Sequence, residues 1–575
     1  MLKSHLPLVY LCLYLGFISA ERDYDFMTIC PRVGCMKGRY MNGFQTSEFE
    51  AYMGIPYAQP PLGHLRFKNP VWKPRWRHVL DATKPKPDCL QKNYLLPNPI
   101  VYGEEDCLYL NIYRPVLRAG LLPVMVYIHG GGFFSGSASP SIIGPEYIMD
   151  TGQVILVTMA YRLGPLGFLS TGDWNMPGNF GLKDQHMVLK WIRNNIESFD
   201  GDRTKVTIFG HSAGAVATHM HLLNPNSANL FQRVISMSGT ANVPFAITKE
   251  PLKQARKMGE LCGVPNAKYI NTADLASSLR EVDASQIVNA GDSFKCWDVD
   301  PLTIFRPVVE PPGPDSIIPD TIDKLMKSIY YQRRPWLLGF VPDEGAVRAV
   351  NLIENVTLLN QFNSDFACLF EELMEWPERY TEDEKKQKTG VLVTEYFKND
   401  WGIKQSNKQG IMDSISDRGF KHPLYKTVKY YHTIKGGNWF YQYLFKFSYK
   451  GPFSYASLYT EANVTGKYGV VHGDELLYLF RSPLLFPDFD KKSTEAKVID
   501  IFVTYIVNFA RFGYLVDVPR TNYYCTKELL DQRDDGICDY HEFMNSYIKG
   551  FDMKVNYRFP TAKVRLWQEL LDEKM

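Results

Sequence analysis

Val206-Thr207-Ile208-Phe209-Gly210-His211-Ser212-Ala213-Gly214-Ala215-Val216 passes from a short apolar run to a helical run of small residues, through a serine with a glycine two positions away on each side. Residues 206–209 read as a strand buried on both faces, and residues 215–223 as a helix. A sharp strand-to-helix turn strains its central residue and brings neighbouring chain so close that a Cβ at Gly210 or Gly214 would collide with it. The hydroxyl at Ser212 then sits where helix N–H groups and the helix dipole favour an anion. Five residues with three fixed arise by chance in long chains. The strand before and the helix after are what make Ser212 a candidate nucleophile.

Outward from this stretch, residues 124–128 and 154–159 also read as strands of a parallel sheet. Residues 182–196, with Leu182, Val188, Trp191 and Ile192 near one face, read as a helix packed between two of them. After a looser, helical region, strand-like runs return at 336–340 and 439–447, so the sheet is resumed after insertions. The expectation is an α/β chain with a large, mostly parallel central sheet flanked by helices and carrying long loop insertions. No internal repeat, low-complexity tract or Pro/Gly/Ser linker divides residues 21–575, which are therefore expected to form one domain.

Directly after the strand at 124–128 comes His129-Gly130-Gly131-Gly132-Phe133, a run that no secondary structure favours. Without side chains, such a loop can bring the N–H groups of Gly131 and Gly132 to a tetrahedral oxyanion, joined by the amide of Ala213. The competing reading is a plain flexible loop.

The chain has 575 residues, 45% hydrophobic and 14% aromatic, enough for a sizeable core. Lys plus Arg total 64 against 62 Asp plus Glu, and there is no extended basic stripe, so nucleic acid is not an expected partner. The mixed-charge segment 371–388 reads as a solvated helix face. Residues 1–20 carry Lys3 and His5, an apolar run over 6–18, then Ser19 and Ala20, which is the layout of a signal peptide cleaved after Ala20; the apolar run is short for an anchor. No later segment is long and apolar enough to span a bilayer, and the C-terminus at 566–575 is charged where a lipid-anchor signal would be hydrophobic. An extracellular protein is expected, with Asn355-Val356-Thr357 and Asn463-Val464-Thr465 as glycosylation acceptors and the cysteines largely paired.

These residues, together with Gly54-Ile55-Pro56-Tyr57-Ala58, Pro60-Pro61-Leu62-Gly63, Glu105-Asp106-Cys107-Leu108-Tyr109-Leu110-Asn111 and Asn179-Phe180-Gly181-Leu182-Lys183-Asp184-Gln185, resemble the type-B carboxylesterases over nearly the whole mature chain. That family includes cholinesterases, insect juvenile hormone esterases and the non-catalytic neuroligins, and the insect-type carboxylesterases are the most similar. The resemblance implies the α/β-hydrolase fold and a serine carboxylesterase acting on a small-molecule ester, with no cofactor or metal. It also implies the remaining catalytic residues: Glu344, from the pair Glu344-Gly345, and His472, from His472-Gly473-Asp474-Glu475. Asp343 is a rival for the acid, and a metal-like pairing with Glu475 is the competing reading of His472. Ser238 and Asp474 fall where the family places residues that support the acid and the histidine.

The same resemblance pairs Cys89 with Cys107; the loop they close holds no tryptophan, and His211 precedes the serine where cholinesterases have Glu and juvenile hormone esterases usually have Gln. Cys262 with Cys296 is the next expected pair. Cys30 with Cys35 and Cys525 with Cys538 are plausible local pairs, leaving Cys368 free. A non-catalytic adhesion protein is the alternative function. It is disfavoured because such members lose a triad residue, whereas serine, acid and histidine are all present here.

Overall fold

Strands whose residues are apolar without alternation must be covered on both sides, and the computed structural model places them at the centre of one sheet. The structure describes residues 26–45, 47–328, 332–433, 442–515, 539–556, 559 and 562–573. The strands are β1 (Phe26–Ile29), β2 (Met36–Asn42), β3 (Glu48–Pro56), β4 (Tyr109–Pro115), β5 (Leu122–Ile128), β6 (Ile155–Met159), β7 (Gly201–His211), β8 (Arg233–Met237), β9 (Trp336–Phe340), β10 (Gln442–Ser448), β11 (Tyr540–Ser546) and β12 (Gly550–Asn556). Their spatial order is β1-β2-β3-β4-β6-β5-β7-β8-β9-β10-β11-β12, and the two-residue strand Leu80–Asp81 beside β2 makes the sheet 13-stranded. From β6 to β11 every neighbour is parallel. The β1–β4 edge and β12 are antiparallel. This is the α/β-hydrolase fold, a mixed sheet with a mostly parallel centre.

Alternate residues of the central strands feed two cores. Val124, Val126 and Ile128 of β5 and Ile208 of β7 pack with Val188, Trp191 and Ile192 of helix α1 (Phe180–Asn195). Met125 and Tyr127 of β5 and Phe209 of β7 face the other way, where Phe502, Ile506 and Phe509 of the long helix Thr494–Phe512 cover them. A third cluster, lying among the helices inserted after β9, is built from Ala349, Phe366, Phe370, Leu392 and Phe397.

Several element boundaries differ from expectation by a few residues, two of them for identifiable reasons. Helix α1 begins at Phe180 rather than 182. Asn179 ahead of it, at φ 54°, is clamped by donating to Val308 O and Glu310 Oε1, both at 2.8 Å, and by accepting from Val308 N–H. Strand β7 begins at Gly201, because the polar residues 202–205, of which 203–205 are exposed, extend it with a register shift against β5. The mixed-charge segment at 371–388 is not one helix face. One helix ends at Met374, Glu375 takes a left-handed conformation, Trp376 is buried, and the next helix starts at Glu382 with a capping box between Thr381 and Glu384.

Cys89–Cys107 and Cys30–Cys35 are disulfides. The expected Cys262–Cys296 bridge is not formed. Cys262 is buried at the end of helix Pro251–Leu261 with its Sγ 3.6 Å from Met258 Sδ, whereas Cys296 is exposed and its Sγ faces Glu372 Oε1 at 3.8 Å. The two thiols thus occupy separate environments. Cys368 is free and exposed, while Cys525 and Cys538 lie outside the described residues, as do residues 1–20. Among the described residues no helix is long and apolar enough to cross a membrane.

Candidate active site

Strand β7 ends at His211 and helix α2 (Ala213–Leu223) starts one residue after Ser212, so the serine forms the whole turn. Its backbone takes φ 57° and ψ −124°, a strained conformation for an L-residue, held by its N–H donating to Met237 O at 2.9 Å. The flanking glycines are required by close approach: a Cβ on Gly214 would lie 2.0 Å from Ile128 O, and one on Gly210 would lie 2.5 Å from Gly214 C. The turn is thus wedged against the end of β5.

The glycine loop leaves that same end of β5. A Cβ built on Gly130 would come 3.1 Å from Ser212 Cβ, so the loop lies against the nucleophile candidate. Gly131 and Gly132 adopt φ 100° and 59°, which explains why glycine stands there. The N–H groups of Gly131, Gly132 and Ala213 donate no hydrogen bond among the described residues, leaving three donors beside Ser212. Beneath the loop, the His129 ring stacks on Tyr161 at 4.3 Å, and Tyr161 Oη donates to His129 O at 2.7 Å. Burial pushes His129 down to about 4, so it is a neutral structural brace.

Glu344 lies between β9 and the helix Ala346–Glu354, and its side chain is wholly buried. Its Oε1 accepts from Val341 N–H at 3.0 Å and its Oε2 lies 2.6 Å from His472 Nδ1. The rival Asp343 turns away, accepting from Gln409 Nε2 at 3.2 Å. With Nδ1–H donated to Glu344, the Nε2 of His472 is the lone-pair nitrogen.

The loop bearing His472 is tied down from several sides. Asp343 and Val471 form a parallel bridge, Tyr459 Oη donates to His472 O at 2.7 Å, and the buried Asp474 carboxyl accepts from Val471 N–H, Tyr455 N–H and Ser454 Oγ. Burial pushes Asp474 up to about 7. Ser238 donates to Glu475 Oε1 at 3.2 Å, so its hydrogen bond goes to Glu475 and not to Glu344. No group of three or more potential metal ligands occurs among the described residues, and the metal-like reading of His472 with Glu475 has no support in the geometry.

The His472 ring touches two other rings, both tilted to it. His211, the residue before Ser212, packs on it at 4.5 Å between ring centroids, and Phe420 packs on it at 4.9 Å. Phe420 also lines, with Ser212 and Gly132, a cavity of about 110 Å³ whose other walls include Phe245, Leu302 and Ile415. The serine turn and the glycine loop thus open on one pocket, and Phe420 links its wall to the His472 ring. Phe245, Ile415 and Phe420 carry no local motif, and only the tertiary fold gathers them.

The landmark motifs between these elements do structural work. Arg66 pairs with Glu105 at 2.7 Å, Arg162 with Asp184 at 2.7 Å, and Asn111 accepts from Gly54 N–H while donating to Ala138 O.

The sequence profile described as "Carboxylesterase family" matches residues 27–530. The juvenile hormone esterase of Tribolium castaneum is 39% identical over 502 residues, spanning 84% of this chain and 83% of that protein. Venom carboxylesterase-6 of Apis mellifera is 36% identical, spanning 83% of this chain and 85% of that one. The crystal structure of juvenile hormone esterase from Manduca sexta, with OTFP covalently attached, superposes with a TM-score of 0.80 at 25% identity, covering 95% of this chain and 100% of that one.

Proposed function

The chain belongs to the carboxylesterase family and is a carboxylic ester hydrolase, and on that premise we propose that it is exported and cleaves small-molecule esters through a Ser212–His472–Glu344 triad and an acyl-enzyme. The observation that carries the reading is the 2.6 Å contact between His472 Nδ1 and Glu344 Oε2, in a ring held against the residue preceding Ser212.

In this mechanism His472 Nε2 removes the Ser212 Oγ proton as the oxygen attacks the ester carbonyl carbon. Glu344 stabilises the resulting imidazolium and fixes its tautomer. The tetrahedral oxyanion is received by the N–H groups of Gly131, Gly132 and Ala213, where one such donor contributes about 3 kcal/mol to transition-state stabilisation. His472 then gives its proton to the leaving alcohol. Water, activated by the same histidine, hydrolyses the acyl-Ser212 ester to release the acid and free the serine.

Export is supported by the leader-like residues 1–20, by the two disulfides, and by the exposure of Asn355 and Asn463, at which glycans are proposed. Hydrolysis of an ester panel by purified protein, compared with Ser212→Ala, tests the reading: loss of turnover in the variant supports it, and unchanged turnover refutes the triad.

A further inference from the structure

Behind the triad lies a buried cluster that the mechanism above does not use. His211 Nε2 is 3.4 Å from Glu475 Oε1, and Ser238 Oγ donates to that same oxygen at 3.2 Å. Glu475 Oε2 has no hydrogen-bond partner among the described residues, and no Lys or Arg pairs with this carboxyl. Both side chains are buried, and the His211 ring also packs at a tilt against the His472 ring.

We propose, building on the triad reading, that His211 is a positioning residue: its ring packs against the His472 imidazole, while its Nε2 lies beside the Glu475 carboxyl in a pair that places no net charge next to His472.

The charge assignment follows from the surroundings. Glu344 receives hydrogen bonds from His472 and Val341, whereas Glu475 receives only that of Ser238 among the described residues. Burial and the Glu344 charge accordingly hold Glu475 well above the usual carboxylate range. Burial and the adjacent His472 push His211 well below the ordinary histidine value. Asp474, Tyr127, Tyr455 and Tyr459 are the other titratable groups close to Glu475, and none supplies a cation. A cationic His211 would repel the imidazolium that His472 must become, whereas an ionised Glu475 would hold the proton on His472 and deprive Ser212 of its base.

The test is the pH dependence of kcat/KM, which reports the free enzyme, for the wild type, His211→Glu, Glu475→Gln, His211→Ala and His211→Phe, each checked for folding by circular dichroism. In His211→Glu, two neighbouring carboxyls share one proton, and the added negative charge beside His472 should move the acid limb upward by about one pH unit. Glu475→Gln replaces one neutral group by another and should leave the limb within about 0.2 units of the wild type. His211→Ala should lower kcat about tenfold at unchanged KM, and His211→Phe should restore most of it by returning the ring. A downward shift in Glu475→Gln would show Glu475 to be ionised and overturn the charge assignment. An unmoved limb in His211→Glu, or full kcat in His211→Ala, would overturn the positioning role. If His211→Ala fails to fold, the two limb positions still decide. Failure of the triad reading looks different, since Ser212→Ala would then retain turnover.

Discussion

His472 Nδ1 meets Glu344 Oε2 at 2.6 Å, while the carboxyl of the adjacent Asp343 is turned outward to Gln409. One residue of difference in the chain thus separates the buried carboxylate proposed as the triad acid from a half-buried one. Glu344→Gln should lower kcat by about three to four orders of magnitude, because the histidine loses its tautomer and its counter-charge. Asp343→Asn should stay within about threefold of the wild type. Steady-state kinetics on one ester distinguishes the two, and reversed effects would transfer the acid role to Asp343.

The pocket suggests tolerance of longer acyl groups. Pro301, Leu302 and Thr303 line the cavity at Ser212, whereas Phe305 packs against Phe294 at 5.2 Å, off its wall. Each methylene that finds an apolar wall contributes up to about 0.8 kcal/mol, so butyryl or hexanoyl esters of one alcohol should exceed the acetyl ester severalfold in kcat/KM. A clear preference for acetyl would show the cavity to be closed to longer chains.

The cysteines give a check independent of catalysis. Cys296 and Cys368 are exposed, while Cys262 is buried. A thiol-reactive maleimide should label Cys296 and Cys368 in native protein and reach Cys262 only after denaturation, as read by peptide mass spectrometry. Native protection of Cys296 would indicate that it is paired after all.

Stability should carry an acid signature from His219. Its Nδ1 accepts from Ala241 N–H at 2.9 Å, and burial pushes it down to about 3. Between that value and the unfolded histidine value of about 6.5, the unfolded chain binds a proton that the folded one refuses. The contribution is therefore fully present above about pH 6.5 and declines as pH falls through the window. His219→Asn removes the titration, so the slope of unfolding free energy against pH between 6 and 4 should fall by about 1.4 kcal/mol per unit. Equal slopes in denaturant titrations of both proteins would refute this assignment.

Much of the site was legible in the sequence wherever local geometry forces a residue type. Gly210 and Gly214 stand where a Cβ would strike backbone, and Gly131 and Gly132 where φ is positive, so steric necessity wrote the motif. The family pattern pointed to Glu344 and His472, whose contact spans 128 residues and has no local signature. The Cys262–Cys296 pairing failed because spacing says nothing about which way a thiol faces. The role of Ser238 was only half visible: its hydrogen bond goes to Glu475, a residue within the same His-Gly-Asp-Glu run. Phe420, against His472, lies in a short π-helical segment that no sequence signal marks.

The central claim, that Ser212 is the nucleophile, is tested most directly by titrating the protein with a fluorophosphonate and mapping the adduct by peptide mass spectrometry. The account predicts one adduct per chain, on Ser212, with ester hydrolysis falling in proportion to labelling and with none formed in His472→Ala on the same timescale. Full labelling at another residue, or hydrolysis that survives complete modification of Ser212, would contradict it.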